Sequence, residues 1–282
     1  MNLSQLYERL RQDMANSGIE SPELEARWLI KHHLDLDWAE IISNPDKIPA
    51  DSGIKAIESD LQRRVKGEPL SRIEGTREFH GLEFIVTKDT LDPRPETEIL
   101  VDHALKLFHG KHPAKILDMG TGTGCIIITL LKAWPETQGL ATDISPGALE
   151  TAKKNARQHG VAGRLAFKQA DWGEGIAGPF DLILSNPPYI RHSDIESLEK
   201  EVRNHDPILA LSGGFDGLEA YKNIFFALPR LLNPGGKALF EIGAGQEADI
   251  VRLSRESRIR VEAVRPDFAG IPRVVEISNG DK

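Results

Sequence analysis

Apolar positions recur every three or four residues through the first quarter of the chain. Leu3, Leu6, Leu10 and Met14 mark one helix face, and Ile54, Ile57, Leu61 and Val65 mark another. Leu24, Trp28 and Leu29 form a third stripe behind Ser21-Pro22, an N-cap residue with proline at the first helical position. No strand-like alternation interrupts this stretch, so the pattern predicts a small helical bundle over residues 1–75. It holds no chemical motif and reads either as a stabilising cap or as a surface that recognises a protein partner. Between 76 and 90, Phe79, Leu82, Phe84 and Val86 alternate partly around Gly81, which predicts a short hairpin connector. Pro93 and Pro95 then stiffen the segment 91–98 ahead of a helix expected over 99–108.

From residue 114 the pattern becomes strand, helix, strand. Apolar runs at 114–119, 138–143, 164–169, 180–185, 237–242, 258–264 and 273–278 read as strands, most of them separated by helical stretches. Such alternation predicts an α/β fold over 91–282, a Rossmann-like, mostly parallel sheet of seven strands with helices on both faces. Ligands then bind at the carboxyl ends of the strands, near the switch in strand order. Composition changes this picture little: 282 residues, 40% hydrophobic and 28% charged, is ordinary for a soluble globular protein. The net charge of -8 is shared by both parts and argues against a purely electrostatic nucleic-acid binder. A single Cys excludes an intrachain disulfide and a multi-Cys metal site. The nine His show no metal-ligand spacing, and His32-His33 reads as an exposed pair. The start has no signal-peptide character and no uncharged apolar run could span a bilayer, so a cytoplasmic protein with no membrane contact is expected.

The candidate chemistry sits where the expected strands end. Asn186-Pro187-Pro188-Tyr189 follows the run 180–185. Proline locks φ, lacks an N–H, and pushes the residue before it into an extended conformation. The Asn186 side chain and the Pro187 carbonyl thus become a rigid pair of acceptors beside an aromatic ring, suited to a planar NH2 group. Upstream, Asp118 precedes Gly120-Thr121-Gly122-Thr123-Gly124, and glycines at a strand-to-helix turn let a ligand approach the backbone. Dinucleotide enzymes use similar loops. Here, however, the spacing is G-x-G-x-G with Cys125 next, and a carboxylate stands where a pyrophosphate would be repelled and an amino group attracted. That combination favours S-adenosylmethionine, which carries an ammonium, a sulfonium and no phosphate. Asp143 ends the second strand, where an acid accepts from ribose hydroxyls, or else helps to cap the helix that Ser145-Pro146 begins. After the third strand, Asp171 is placed to accept from an adenine amine, and Trp172 either packs on that ring or belongs to the core. Arg94, Glu96 and Glu98 read equally as pocket lining or as a salt-bridge corner. Glu241-Ile242-Gly243 reads as a strand end with local hydrogen bonds, and Cys125 as a small packing residue.

Taken together, Gly120 to Gly124, Asp143, Asp171-Trp172 and Asn186-Pro187-Pro188-Tyr189 resemble the protein-(glutamine-N5) methyltransferases, in particular the HemK/PrmC branch. Gly67-Glu68-Pro69-Leu70-Ser71-Arg72-Ile73, Glu78-Phe79-His80-Gly81-Leu82, Pro93 to Glu98, Gly213 to Leu218 and Phe240-Glu241-Ile242-Gly243 extend the likeness from about residue 60 to the end. Two positions depart from it: Asp206-Pro207 where Glu-Pro is expected, and Arg72 where an aromatic is common. The resemblance implies a class I methyltransferase fold, S-adenosylmethionine as donor, no metal, and a peptide chain release factor as substrate, methylated on the glutamine of a Gly-Gly-Gln loop. It further implies that Asn186, Pro187 and Tyr189 serve the acceptor amide, with Pro188 beside them, and that residues 1–75 recognise the substrate. A monomer without nucleic-acid partners is expected. Two enzymatic alternatives share the Asn-Pro-Pro-Tyr motif: a ribosomal-protein glutamine methyltransferase and a nucleic-acid adenine-N6 methyltransferase. A nucleotide-binding module without turnover would have no need of Asn186 and its prolines.

Overall fold

The structure is a computed structural model that describes residues 1–279, so the last three residues of the expected 91–282 segment lie outside it. The chain divides into two compact units, Met1–Glu74 and Gly75–Lys282. In the first, α1 (Leu3–Asn16) is opened by a capping box: the Asn2 side chain accepts from the Gln5 amide and the Gln5 side chain from that of Asn2. Asp37 and Glu40 do the same for α3 (Trp38–Ser43). Between them lies α2 (Pro22–Leu34), and α4 (Asp51–Val65) and α5 (Leu70–Glu74) complete the unit. Leu3, Leu6, Leu10 and Met14 meet Leu29, Ile30, Ile57 and Leu61 in one core.

Two expectations fail in this unit. Of the stripe Leu24, Trp28 and Leu29, Leu29 is buried and Trp28 packs on the core, but Leu24 is 68% exposed; α2 turns Ala26, Leu29 and Ile30 inward, an i, i+3, i+4 set. His33 is also not at the surface, because its Nε2 lies 2.8 Å from Asp60 Oδ2 on α4, whereas His32 remains exposed and stacks on Trp28.

The second unit opens with an antiparallel hairpin, β1 (Thr76–Phe79) and β2 (Leu82–Ile85), whose Phe79 and Phe84 are buried in the unit's own core. Then follow α6 (Pro95–Leu107), β3 (Lys115–Met119), α7 (Cys125–Ala133), β4 (Gln138–Asp143), α8 (Pro146–Gln158), β5 (Leu165–Gln169) and β6 (Phe180–Ser185). The short helices α9 (Lys200–His205) and α10 (Ile208–Leu211) lead to α11 (Glu219–Leu231), β7 (Leu232–Glu241), α12 (Glu247–Glu256), β8 (Ile259–Pro266) and β9 (Pro272–Asn279). Seven strands form one sheet in the order β5-β4-β3-β6-β7-β9-β8, with β9 antiparallel to both of its neighbours and the other pairs parallel. Side chains alternate between two apolar layers: Ile116, Leu182, Leu184 and Leu239 with α6, α7 and α8, and Leu117, Ile183, Ala238 and Phe240 with α11 and α12. The chain runs outward from β3 through β4 and β5, then returns to place β6 on the other side of β3. The ends of β3 and β6 therefore flank the switch in strand order, where a crevice opens.

Helix α6 begins at Pro95, four residues before the expected start at 99, because proline is favoured at a first helical position where its missing N–H goes unused. Thr97 thereby enters the first helical turn. β7 likewise begins at Leu232, and its Gly235-Gly236 pair is absorbed in a register shift against β6 instead of forming a free turn. Among the described residues, no helix is long and apolar enough to cross a membrane.

Candidate active site

The two strand ends at the switch point are tied by the Ser185 hydroxyl, which donates to the Met119 carbonyl at 2.6 Å. Beyond β3 the chain turns through Gly120, Gly122 and Gly124 with φ of +70°, +55° and +81°, conformations that L side chains rarely adopt. Gly124 is needed for space as well, since a Cβ there would lie 2.8 Å from Ile128 Cδ1. The turn is held by acids. Thr121 donates its hydroxyl to Asp118 Oδ2 at 2.6 Å, and the Gly122 amide donates to Asp143 Oδ2 at 2.9 Å. Asp143 Oδ1 accepts from the Ser145 amide at 2.9 Å, and Ser145 Oγ caps α8 by accepting from Ala148. Burial raises the Asp143 carboxyl against these hydrogen bonds.

A cavity of about 360 Å³ faces this loop. Gly120, Thr121, Gly122, Thr123, Asp143, Asp171, Trp172, Asn186 and Pro188 line it, as does Thr97. Asp118 and Gly124 do not. Asp118 is fully enclosed beneath the loop, burial pushes its carboxyl up to about 7, and its Oδ1 has no hydrogen-bond partner. Gly124 starts α7, and Cys125 is a buried packing residue whose thiol burial pushes up to about 12. Trp172 lines the cavity beside Gly120 and also packs on the second apolar layer. Its φ of +47° is unusual for a bulky residue, as strained residues at functional sites often are.

A second cavity, of about 250 Å³, meets the first at Asn186. Pro187, Tyr189, Glu96, Glu241 and Arg273 line it, while Leu91, Arg94, Asn186, Pro188 and Ala210 line both. Asn186 Nδ2 donates to Thr97 Oγ1 at 3.0 Å, and Thr97 donates to Glu241 Oε2 at 2.7 Å. The Tyr189 hydroxyl donates to Glu241 Oε1 at 3.4 Å, and among the described residues none donates to the Pro187 carbonyl. Gln246 clamps the motif from behind: its Nε2 donates to the Tyr189 and Gly217 carbonyls and its Oε1 accepts from the Gly243 amide.

Glu241 corrects the reading of a strand end with local hydrogen bonds. Its carboxylate is buried and accepts from residues 144 and 52 positions away. Desolvation pushes this carboxyl up to about 7; the Thr97 hydrogen bond, the Arg273 charge and the Tyr189 hydroxyl oppose the rise, and Glu96 adds to it. The Arg94–Glu98 segment divides between its two readings. Glu96 lines the second cavity, Arg94 lines both cavities while pairing with Asp206 at 2.6 Å, and Glu98 accepts from the His80 amide as a structural contact. Asp206, one of the departures from the family pattern, is thus the partner of a cavity residue.

The donor set of the larger cavity fits a cationic nucleoside better than a phosphate. Asp89, Asp92, Asp143, Asp171 and Glu219 face it, and its one guanidinium, Arg94, is already paired with Asp206. The fold is shared with the solved structure of a methyltransferase from Pyrococcus furiosus (TM-score 0.54, 16% identity, 79% of this chain and 100% of that one). It is shared also with a ribosomal protein L11 methylase from Lactobacillus delbrueckii subsp. bulgaricus (TM-score 0.52, 22% identity, 68% and 83%). A glycine turn over an acid-lined cavity at the switch point of this sheet defines a Rossmann-like, S-adenosylmethionine-dependent methyltransferase. Residues 5–75 match the PrmC N-terminal domain and residues 78–205 the Methyltransferase small domain. Release factor glutamine methyltransferases from Rhodospirillum rubrum and Cereibacter sphaeroides are 40% and 43% identical to it, covering 96% and 93% of the chain and 83% and 93% of their own lengths. The chain belongs to the release factor glutamine methyltransferase family.

Proposed function

We propose that this enzyme transfers the methyl group of S-adenosylmethionine to the side-chain nitrogen (N5) of the glutamine in the Gly-Gly-Gln loop of peptide chain release factors. The observation that carries the reading is Asn186: with Leu91, Arg94, Pro188 and Ala210 it borders both cavities, and of these only Asn186 carries a side-chain amide able to pair with another amide. Bound S-adenosylmethionine supplies an electrophilic methyl group on a sulfonium. On the donor side, Gly120 to Thr123 let the ligand lie against backbone. Asp143 keeps lone pairs free for ribose hydroxyls after accepting from Gly122 and Ser145. Asp171 accepts from the adenine amine and Trp172 covers its ring. Asp118 contributes negative potential beneath the loop.

On the acceptor side, a carboxamide nitrogen is a weak nucleophile because its lone pair is delocalised into the carbonyl. Asn186 Oδ1 and the Pro187 carbonyl accept its two protons and hold the nitrogen in line, with Pro188 and Tyr189 walling off water. As the N–C bond forms and the S–C bond breaks, the N–H groups become more acidic and both hydrogen bonds strengthen, so the stabilisation is larger in the transition state than before it. The methylated nitrogen then loses a proton to solvent, and no strong base is required. Residues 1–75 recognise the substrate protein. The deciding experiment offers labelled donor to purified release factors, ribosomal proteins and DNA in parallel and maps the label by mass. Label on the Gly-Gly-Gln glutamine is expected, and label only on a ribosomal protein or a base would overturn the reading.

A further inference from the structure

A primary amide is nearly symmetric in shape, and Asn186 has no intrinsic reason to present oxygen instead of nitrogen to the acceptor. The difference is large in effect. An acceptor NH2 brings two donors, and an inverted Asn186 would set N–H against N–H. We infer that Thr97 and Glu241 are positioning residues that fix which end of the Asn186 amide faces the acceptor, an inference that rests on the amide-binding role proposed above.

An ionised carboxylate only accepts, a hydroxyl donates one proton, and an amide nitrogen only donates. Glu241 Oε2, 2.7 Å from Thr97 Oγ1, therefore takes the threonine proton. What Thr97 has left for Asn186, 3.0 Å away, is lone pairs, so Asn186 must answer with Nδ2. Oδ1 is thereby turned away from Thr97. The other oxygen of Glu241 faces the Tyr189 hydroxyl in a longer contact of 3.4 Å.

The relay is held from every side. Thr97 is 3% and Glu241 2% exposed, so their hydrogen bond is shielded from bulk solvent although each residue borders a cavity. Thr97 shares the inner face of α6 with Leu100, Val101 and Ala104, at the spacing i, i+3, i+4, i+7. Glu241 is paired in register with Val274 of β9, and its backbone carbonyl accepts the Tyr221 hydroxyl of α11 at 2.8 Å. The other charged groups that bear on its carboxylate are Glu96 on α6 and Arg273 on β9. Loss of the Thr97 hydroxyl alone would leave Asn186 Nδ2 without its partner and both amide orientations available.

Thr97→Val and Thr97→Ser separate this role from mere packing, since valine keeps the shape and serine keeps the hydroxyl. For the valine variant kcat is expected to fall on the order of tenfold or more, a larger loss than any in donor affinity by calorimetry, since Thr97 also borders the larger cavity, and serine should recover most of the loss in kcat. A second measurement needs no substrate: hydrogen exchange of the Asn186 side-chain NH2, followed by NMR in the donor-free protein, should be slow in wild type and Thr97→Ser and fast in Thr97→Val. Wild-type turnover in the valine variant, equal losses for valine and serine, or unprotected amide protons in wild type would each overturn the relay. Failure of wild type to methylate any release factor would instead overturn the proposed function, and the exchange experiment would still decide the relay.

Discussion

Asn186 donates Nδ2 to Thr97 and borders both cavities, which leaves Oδ1 for the acceptor role proposed above. Asn186→Ala therefore removes one of two acceptors for the substrate amide, and kcat should fall by about a hundredfold or more, while calorimetry finds donor binding largely intact; undiminished turnover on a release factor would refute the assignment. Asp143→Ala acts on the other side of the wall. It removes the acceptor for the ribose hydroxyls and also the anchor of the Gly122 amide, so donor affinity should drop roughly 10- to 100-fold. An unchanged dissociation constant would show that Asp143 only shapes its turn. Both positions stood out in the sequence because each ends an expected strand, Asn186 directly before Pro187 and Asp143 just ahead of Ser145-Pro146. Thr97 and Glu241 were not. Their bond joins residues 144 positions apart, and the proline run before Thr97 disguised the helix start that buries it. Read alone, Glu241 was a strand terminus; only the packing of α6 on the sheet made it a partner.

The elements themselves followed their patterns closely. All seven expected strands exist; the central ones, β3 and β6, are covered on both faces and read as apolar runs, while the edge strands β5 and β8 are partly exposed and show a weaker pattern. Helix faces were harder: Trp28 and Leu29 pack on the core as expected, but Leu24 at the start of the same stripe faces out and Ala26 and Ile30 complete the inner face of α2. The fastening of one element to the next was not legible at all, and Asn155 is its clearest case. Fully buried on α8, it accepts from the Ile85 amide and donates to the Ile85 and Thr123 carbonyls, thereby tying the β1–β2 hairpin and the glycine turn to one helix. Asn155→Ala leaves those three backbone groups without partners. We expect a loss of roughly 2–4 kcal/mol, seen as a thermal midpoint lower by on the order of 10 °C, together with weaker donor binding because Thr123 lines the donor cavity. Equal stability with unchanged affinity would mean that the hairpin and turn hold their places without α8.

At the scale of the whole molecule, two carboxyls buried on the catalytic sheet, Asp118 and Glu241, both raised to about 7, link folding to pH. In the unfolded chain such groups titrate near pH 4. Between about pH 4 and pH 7 the folded protein therefore holds protons that the unfolded chain has released. Stability changes with pH as the unfolded proton count minus the folded one, and here that difference is negative. The contribution is fully present below the unfolded value, is lost as pH rises through about 7, and changes no further above it. A raised carboxyl thus costs stability at the pH where its ionised form is useful, and for Glu241 that form is the one that orders Thr97 and Asn186. Glu241→Gln cannot titrate. Relative to wild type its thermal midpoint should shift upward as pH is raised from about 5 to about 8, by the equivalent of roughly 3 kcal/mol at most, while its methyl transfer falls. In wild type the same titration predicts activity that declines as pH drops below about 7, because a protonated Glu241 can donate to Thr97 and release the polarity of the relay. Scanning calorimetry of both proteins across this range, set beside their pH–rate profiles, tests the two consequences together. Parallel stability curves would place the Glu241 titration elsewhere, and an acid limb that survives in Glu241→Gln would assign it to another group.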